Sequence, residues 1–139
     1  GAIAEIENDT PADLRTLLDG MNLLLVEDNE HNQFLAQTYL VRNGAKVTTA
    51  ANGKIALDIL KNNTFDIILM DIQLPEVSGE DVIQWLKADP LTRSIPIIAV
   101  TAFAMKGDED RILGKGCEAY LSKPISIAKF LDAVREHAI

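Results

Sequence analysis

DIILMDIQLP, residues 66–75, is the most informative segment of this 139-residue chain. Its apolar core, residues 67–70, is too short to cross a membrane and has an aspartate on each side. A short apolar run of this kind is typical of a strand with both faces buried. Such strands occur in parallel sheets that helices cover on both sides. The segment therefore predicts an α/β fold in which Asp71 follows a buried strand.

Four further apolar runs alternate with longer amphipathic stretches from residue 23 onward. This alternation predicts one parallel, doubly wound sheet of five strands, with helices on both faces. The predicted strands are residues 23–26, 46–49, 66–70, 97–100 and 119–121.

Capping residues and apolar stripes predict five helices between and after these strands. Asn29 can cap the first helix, which ends at Asn43–Gly44, and Ser126 can cap the last. The fourth helix, residues 106–115, contains two glycines and has only Met105, Ile112 and Leu113 as apolar anchors, so we expect it to be mobile. The apolar residues assigned to the first helix are Phe34, Ala36, Tyr39 and Leu40, and those of the last are Ile127, Phe130, Leu131 and Val134.

Composition and charge narrow the possible functions. A chain that is 47% hydrophobic with few glycines and prolines can fold as one compact domain. Its net charge of -8 disfavours binding to nucleic acid and to anionic lipid. No apolar run is long enough for a membrane span, and the single Cys117 cannot form an internal disulfide. We therefore expect a cytoplasmic protein.

Residues 1–20 differ from the rest of the chain, because they hold five acidic residues and one arginine. Gly1–Ala2 resembles the scar of a cleaved tag, and Thr10–Pro11 followed by leucines and Gly20 predicts a short capped helix. We expect residues 1–20 to be this scar plus an acidic linker or appended helix, and residues 21–139 to be the functional domain.

Polar residues follow four of the five predicted strands. Because parallel strands deliver their carboxyl ends to one edge of the sheet, we expect these residues to meet there. The set comprises Glu27, Asp28, Asp71, Thr101 and Lys123.

This set of side chains suits phosphoryl chemistry. Three ionised carboxylates repel one another unless a cation joins them, and Mg²⁺ prefers such oxygen ligands. A lysine ammonium and a threonine hydroxyl can hold phosphoryl oxygens. Asp71 is the best candidate nucleophile, because a buried strand fixes its position and a carboxylate can form an acyl phosphate.

The chain resembles the response regulator receiver domains of two-component signalling over residues 23–139. Two of its segments, 71–79 and 101–108, are especially similar to DivK-type single-domain regulators and to receivers of hybrid histidine kinases. The motifs that carry the resemblance are Leu24–Asn29, Met70–Pro75 with Gly79, Val100–Ala102 and Tyr120–Pro124.

The resemblance implies a flavodoxin-like sheet with strand order 2-1-3-4-5. It also implies that Asp71 accepts phosphate from a phosphohistidine on a histidine kinase or phosphotransfer protein. Asp28, Asp71 and the backbone carbonyl of Gln73 would bind Mg²⁺ directly, and Glu27 would act through water. Lys123 would pair with Asp71 or with the phosphoryl group.

Further expectations follow from the resemblance. The Lys123–Pro124 bond would be cis, and the small Ala102 would leave the phosphoryl group accessible. Movement of the Thr101 hydroxyl would let Tyr120 turn inward. The surface of the fourth helix, fifth strand and fifth helix would then change and bind a downstream kinase or regulator.

Several alternatives stay open. A magnesium-dependent phosphatase also uses a strand-end aspartate, but it needs a second acid at the position of Gln73. A flavodoxin needs a phosphate loop where this chain has Glu27–Asp28. A receiver-like module that is never phosphorylated would lack part of the motif set. The chain is either a stand-alone regulator or a receiver from a hybrid histidine kinase.

Overall fold

The computed structural model describes residues 16–102 and 105–138 of the 139-residue chain. These residues form a parallel sheet of five strands in the order β2-β1-β3-β4-β5, so the predicted α/β fold and strand order are confirmed. The strands are β1 Asn22–Val26, β2 Lys46–Ala50, β3 Ile67–Asp71, β4 Ile97–Thr101 and β5 Ala119–Ser122.

Helices follow each strand in turn. Asn29 and Ser126 cap α1 and α5 as predicted, with side chains that accept hydrogen bonds from Asn32 N and Lys129 N. None of the helices in the described ranges is long and apolar enough to cross a membrane. The helices are α1 Glu30–Arg42, α2 Gly53–Leu60, α3 Gly79–Ala88, α4 Asp108–Leu113 and α5 Ile127–His137.

Two apolar cores lie on opposite faces of the sheet, because successive strand residues point to opposite sides. Leu25 and Leu69 pack with α1 and α5 on one face. Val26 and Met70 pack with α2, α3 and α4 on the other. Every residue of β3 and β4 is buried, which confirms that the central strands are covered on both sides.

Two helix predictions are partly wrong. Phe34 is 63% exposed although it was assigned to the apolar face of α1. A helix turns about 100° per residue, so Phe34 lies more than 100° around the axis from the buried Tyr39 and Leu40. The fourth helix is shorter than expected, and its predicted anchor Met105 lies outside it and is exposed, whereas Ile112 is buried.

Residues 16–20, the part of the acidic segment that the structure describes, contact the rest of the domain. Leu18 is 1% exposed and belongs to the core that α1 and α5 cover. Residues 16–20 form turns, and Gly20 N donates to the Gly44 carbonyl at 2.9 Å. Residues 10–15 of the predicted short helix lie outside the described residues. The division of the chain at residue 20 stays a prediction.

Candidate functional site

The predicted site residues meet at the carboxyl edge of the sheet. Register pairs Val26 with Met70 and Asp71 with Val100, so β1, β3 and β4 end side by side. Glu27, Asp28 and Asp71 each place a carboxylate oxygen within 4.8 Å of the others. Asp28 is exposed, whereas Glu27 and Asp71 are each 5% exposed.

Close packing of α3 against β3 holds Asp71 in place. Gly79 N donates to the Ile72 carbonyl at 3.0 Å. A Cβ atom at Gly79 would collide with the Asp71 carbonyl oxygen and would lie 2.8 Å from Ile72 Cα. Only a glycine lets the start of the helix approach the strand end this closely.

Lys123 neutralises part of the acidic cluster. Its Nζ donates to Glu27 Oε2 at 3.0 Å and to Asp71 Oδ2 at 3.3 Å. Its backbone N donates to the Thr101 carbonyl at 2.8 Å, and the Lys123–Pro124 peptide bond is cis. The ammonium thus lies between the two buried carboxylates.

Burial and the neighbouring carboxylate control the charge on Asp71. The pKa of Asp71 is raised from 3.8 to about 6. Loss of solvation on burial is the largest cause, and the hydrogen bond with Glu27 and the repulsion from its carboxylate add to it. Desolvation also opposes ionisation of Glu27, but its hydrogen bonds with Asp71 and Lys123 outweigh that cost and lower its pKa. Asp71 is therefore the carboxylate that most needs a compensating cation.

Helix α1 positions Glu27. The Asn32 side chain donates to Glu27 Oε1 at 3.2 Å, and the Gln33 side chain donates to the Glu27 carbonyl at 3.2 Å. Neither residue was predicted to serve the site. Their position in the sequence could have indicated this role, because both residues lie in the first turn of the helix that follows Glu27–Asp28.

Gln73 contributes a side chain where the sequence had suggested only a backbone carbonyl. Its Nε2 donates to Thr101 Oγ1 at 2.6 Å, and its Oε1 accepts from Ala102 N at 3.1 Å. Gln73 N also donates to Asp71 Oδ1 at 3.0 Å. Gln73 therefore joins the end of β3 to the end of β4. Residue spacing gave no sign of this link, because 28 positions separate Gln73 from Thr101.

Tyr120 lies one strand away from the acidic cluster. Its ring packs against the core on the α2, α3 and α4 face. Its hydroxyl oxygen is buried and has no hydrogen-bond partner among the described residues. Burial, reinforced by Asp108 and Glu109, raises the pKa of this phenol. Tyr120 therefore occupies an inward position in this structure.

A cavity opens beside the cluster. Its volume is about 390 Å³, and Glu27, Asn32, Asp71 and Lys123 form its polar lining. Apolar residues of β1, β3, β4 and α1, together with the two residues that follow Lys123, form the remaining walls. Asp71 is thus accessible through this opening although its side chain is almost fully buried.

The oxygen donors of the cluster suit a hard divalent cation. Two carboxylates are buried together, and one lysine balances only part of their charge. A small dication with oxygen ligands relieves this repulsion. The arrangement can therefore hold a metal ion next to a carboxylate nucleophile.

Residues 23–135 match the response regulator receiver domain family. The chain belongs to this family. Receivers are the phosphoacceptor switches of two-component signalling, and they interact with histidine kinases or phosphotransfer proteins. The family membership predicted from the sequence is confirmed, and it leaves the flavodoxin and the phosphatase without support.

Curated relatives include single-domain receivers. The polar-differentiation response regulator DivK of Brucella anthropi is 51% identical over 116 residues, covering 84% of this chain and 94% of DivK. DivK of Brucella ovis is 50% identical over the same length.

Solved receiver structures share the fold. The receiver domain of the sensor histidine kinase PA1611 from Pseudomonas aeruginosa is 35% identical, with a TM-score of 0.78, over 86% of this chain and 98% of that one. That structure contains a magnesium ion coordinated in its active site cleft. A receiver domain of a histidine kinase from Syntrophus aciditrophicus is 27% identical, with a TM-score of 0.78, over 86% of this chain and 90% of that one.

Proposed function

We propose that this receiver accepts a phosphoryl group on the Asp71 carboxylate from a phosphohistidine of a histidine kinase or phosphotransfer protein. An Asp71 oxygen attacks phosphorus in line, the P–N bond of the phosphohistidine breaks, and its electron pair stays on the imidazole. Water later hydrolyses the acyl phosphate and restores the carboxylate. The observation that carries this proposal is the convergence of Glu27, Asp28 and Asp71 within 4.8 Å, with Lys123 3.3 Å from Asp71.

Mg²⁺ is the cofactor that fits this donor set. Asp28, Asp71 and the Gln73 carbonyl would hold it directly, and Glu27 would act through water. The raised pKa of Asp71 supports this assignment, because burial and then the neighbouring Glu27 disfavour the ionised carboxylate more than Lys123 favours it. When bound, Mg²⁺ offsets negative charge on the carboxylates and on the phosphoryl oxygens.

Lys123 and Thr101 would hold the phosphoryl group from the other side. The Lys123 ammonium already contacts Asp71 Oδ2, so it is in reach of a group attached there. Thr101 ends the neighbouring strand and is 1% exposed, which keeps its hydroxyl out of bulk water. The small Ala102, which is exposed, leaves this side of the site open.

Phosphorylation would then change the surface of α4, β5 and α5, through Thr101 and Tyr120. Two features support this switch. The α4 helix has only six residues, and its N-cap, Gly107, has no side chain that could accept a hydrogen bond from the first turn. The Tyr120 hydroxyl is buried without a hydrogen-bond partner among the described residues, which costs free energy, so an outward position, from which phosphorylation would turn the ring inward, is accessible to it. This surface would bind a downstream kinase or regulator.

The 51% identity to DivK supports a stand-alone regulator, and the likeness to PA1611 supports a receiver attached to a histidine kinase. Residues 21–139 would be the receiver in either case. We place the receiver in the cytoplasm, where its single Cys117, which cannot form an internal disulfide, would stay reduced.

Phosphorylation by a small donor tests the proposal. Incubation with Mg²⁺ and acetyl phosphate should add the mass of one phosphoryl group. Asp71→Asn should abolish the addition, and the exposed Asp132→Asn should retain it as a matched control. An unchanged mass of the native protein, or full labelling of Asp71→Asn, would refute the assignment. Release of phosphate from simple esters over many turnovers would instead favour the phosphatase.

A further inference from the structure

The Gln73 side chain contacts the end of β4, the strand next to the one that carries Asp71. Its amide makes two hydrogen bonds there, one to the Thr101 hydroxyl oxygen at 2.6 Å and one from the Ala102 N–H at 3.1 Å. The backbone N–H of the same residue donates to Asp71 Oδ1 at 3.0 Å. Gln73 is thus in contact with the nucleophile and with both polar groups at the end of the next strand.

These β4 groups are the ones that a phosphoryl group on Asp71 would need. Such a group carries three oxygens with negative charge, and one of them requires donors opposite the lysine. The Ala102 N–H is the backbone donor directly after β4, the strand that pairs with the Asp71 strand, and in this structure Gln73 Oε1 accepts from it. The neutral amide oxygen would have to leave this N–H before a charged phosphoryl oxygen could accept from it.

The amide nitrogen restrains the hydroxyl in the same way. A hydrogen bond of 2.6 Å between Gln73 Nε2 and Thr101 Oγ1 fixes the hydroxyl oxygen at the end of the buried strand. Movement of Thr101 toward a phosphoryl oxygen would break this bond or carry the glutamine with it. Both steps cost free energy that an apolar side chain at residue 73 would not require.

We propose that the Gln73 side chain is a latch that stabilises the unphosphorylated receiver by occupying the Thr101 hydroxyl and the Ala102 N–H. The inference rests on the proposed function, because it assumes that the phosphoryl group is attached to Asp71. Gln73 is a positioning residue in this account. Its release is a step that precedes full engagement of the phosphoryl group by β4.

Beryllium fluoride, a mimic of the phosphoryl group, provides a direct measurement. Titration in the presence of Mg²⁺ gives an apparent affinity for native protein, Gln73→Met and Gln73→Ala. Methionine keeps the length of the side chain but cannot make the two hydrogen bonds. Both variants should bind the mimic about three- to tenfold more tightly, as expected for the loss of about one net hydrogen bond from the free state.

Two further measurements and one control variant separate a latch from a general structural role. The affinity for Mg²⁺ alone is measured for each protein and used to correct its apparent affinity for the mimic, because the Gln73 carbonyl is a proposed ligand of the metal. Amide hydrogen exchange at Ala102 should accelerate in both variants without the mimic. Gln84→Ala, an exposed glutamine on α3, should leave all three measurements unchanged.

The outcomes distinguish the latch from the proposed function. Equal or weaker mimic affinity in both Gln73 variants would overturn the latch, even if native protein binds the mimic normally. Tighter binding in Gln73→Ala alone would also overturn it, because that result indicates steric relief and not lost hydrogen bonds. Failure of native protein to bind the mimic, or binding that survives Asp71→Asn, would refute the proposed function itself.

Discussion

Replacement of Asp71 by asparagine should stabilise the metal-free protein at neutral and alkaline pH. The Asp71 carboxylate is 5% exposed and close to Glu27, and its pKa is raised from 3.8 to about 6. Asparagine has a similar shape but carries no charge. The substitution therefore removes a buried charge whose cost the native protein bears whenever the carboxylate is ionised.

The sign of the effect follows from the direction of the pKa shift. Below pH 3.8 the carboxyl is protonated in both folded and unfolded protein, and the shift contributes nothing. As pH rises from 3.8 to about 6, the unfolded state has already lost its proton while the folded state retains it, so the folded state becomes relatively less stable. Above about pH 6, ionisation of the buried carboxylate therefore costs the folded state about 3 kcal/mol of stability, because each pH unit between the two pKa values corresponds to about 1.36 kcal/mol.

Urea denaturation with EDTA at pH 4 and at pH 8 measures this cost. The stability gained by Asp71→Asn should be about 2–3 kcal/mol larger at pH 8 than at pH 4. Comparing the two pH values cancels any effect of the substitution that does not depend on pH. Asp132→Asn, whose side chain is 58% exposed, should show a difference below about 0.5 kcal/mol. Added Mg²⁺ should stabilise the native protein more than the variant.

Two results would refute this reasoning. If the stability gained by Asp71→Asn were no larger at pH 8 than at pH 4, burial would not be raising the pKa of Asp71. If the exposed control showed an equal pH dependence, the effect would reflect the net charge of -8 and not the site.

Three other substitutions test how the site and the fold are held. Gly79→Ala should destabilise the protein by more than about 2 kcal/mol and weaken phosphoryl labelling of Asp71, because the added Cβ would collide with the Asp71 carbonyl oxygen. Unchanged stability in urea denaturation would show that α3 can move away from β3 without cost. Lys87→Met should cost about 2–4 kcal/mol, since Nζ donates to two backbone carbonyls of the α3–β4 connection at 2.8 and 3.0 Å and pairs with Glu118 at 2.6 Å. A loss below about 0.5 kcal/mol in thermal unfolding would contradict that estimate. Asn29→Ala should cost about 1 kcal/mol through loss of the α1 cap, and an equal loss in Asn29→Ser, which retains a capping oxygen, would argue against capping as the cause.

Local signals were sufficient for the elements and their ends. The caps at Asn29 and Ser126 depend on contacts three residues along the chain, so the sequence contains both partners of each bond. The site residues Glu27, Asp71 and Thr101 were found because each directly follows or ends a short apolar run. A parallel sheet turns that position in sequence into proximity in space.

Contacts between distant segments could not be predicted in this way. The burial of Leu18 against the core depends on how residues 16–20 fold back onto Gly44. The exposure of Phe34 depends on which face of α1 meets the sheet, and a stripe of apolar residues defines that face only roughly.

The sequence by itself determined the alternation of strands and helices, the family and the residue types at the carboxyl edge, because periodicity, capping and motif order are properties of short segments. Only the tertiary structure decided that the Gln73 amide bonds Thr101 and Ala102, and that Asp71 is the carboxylate with the raised pKa. Both depend on distances and burial between strands that are far apart in the chain, and electrostatic and hydrogen-bond energies are set by those distances.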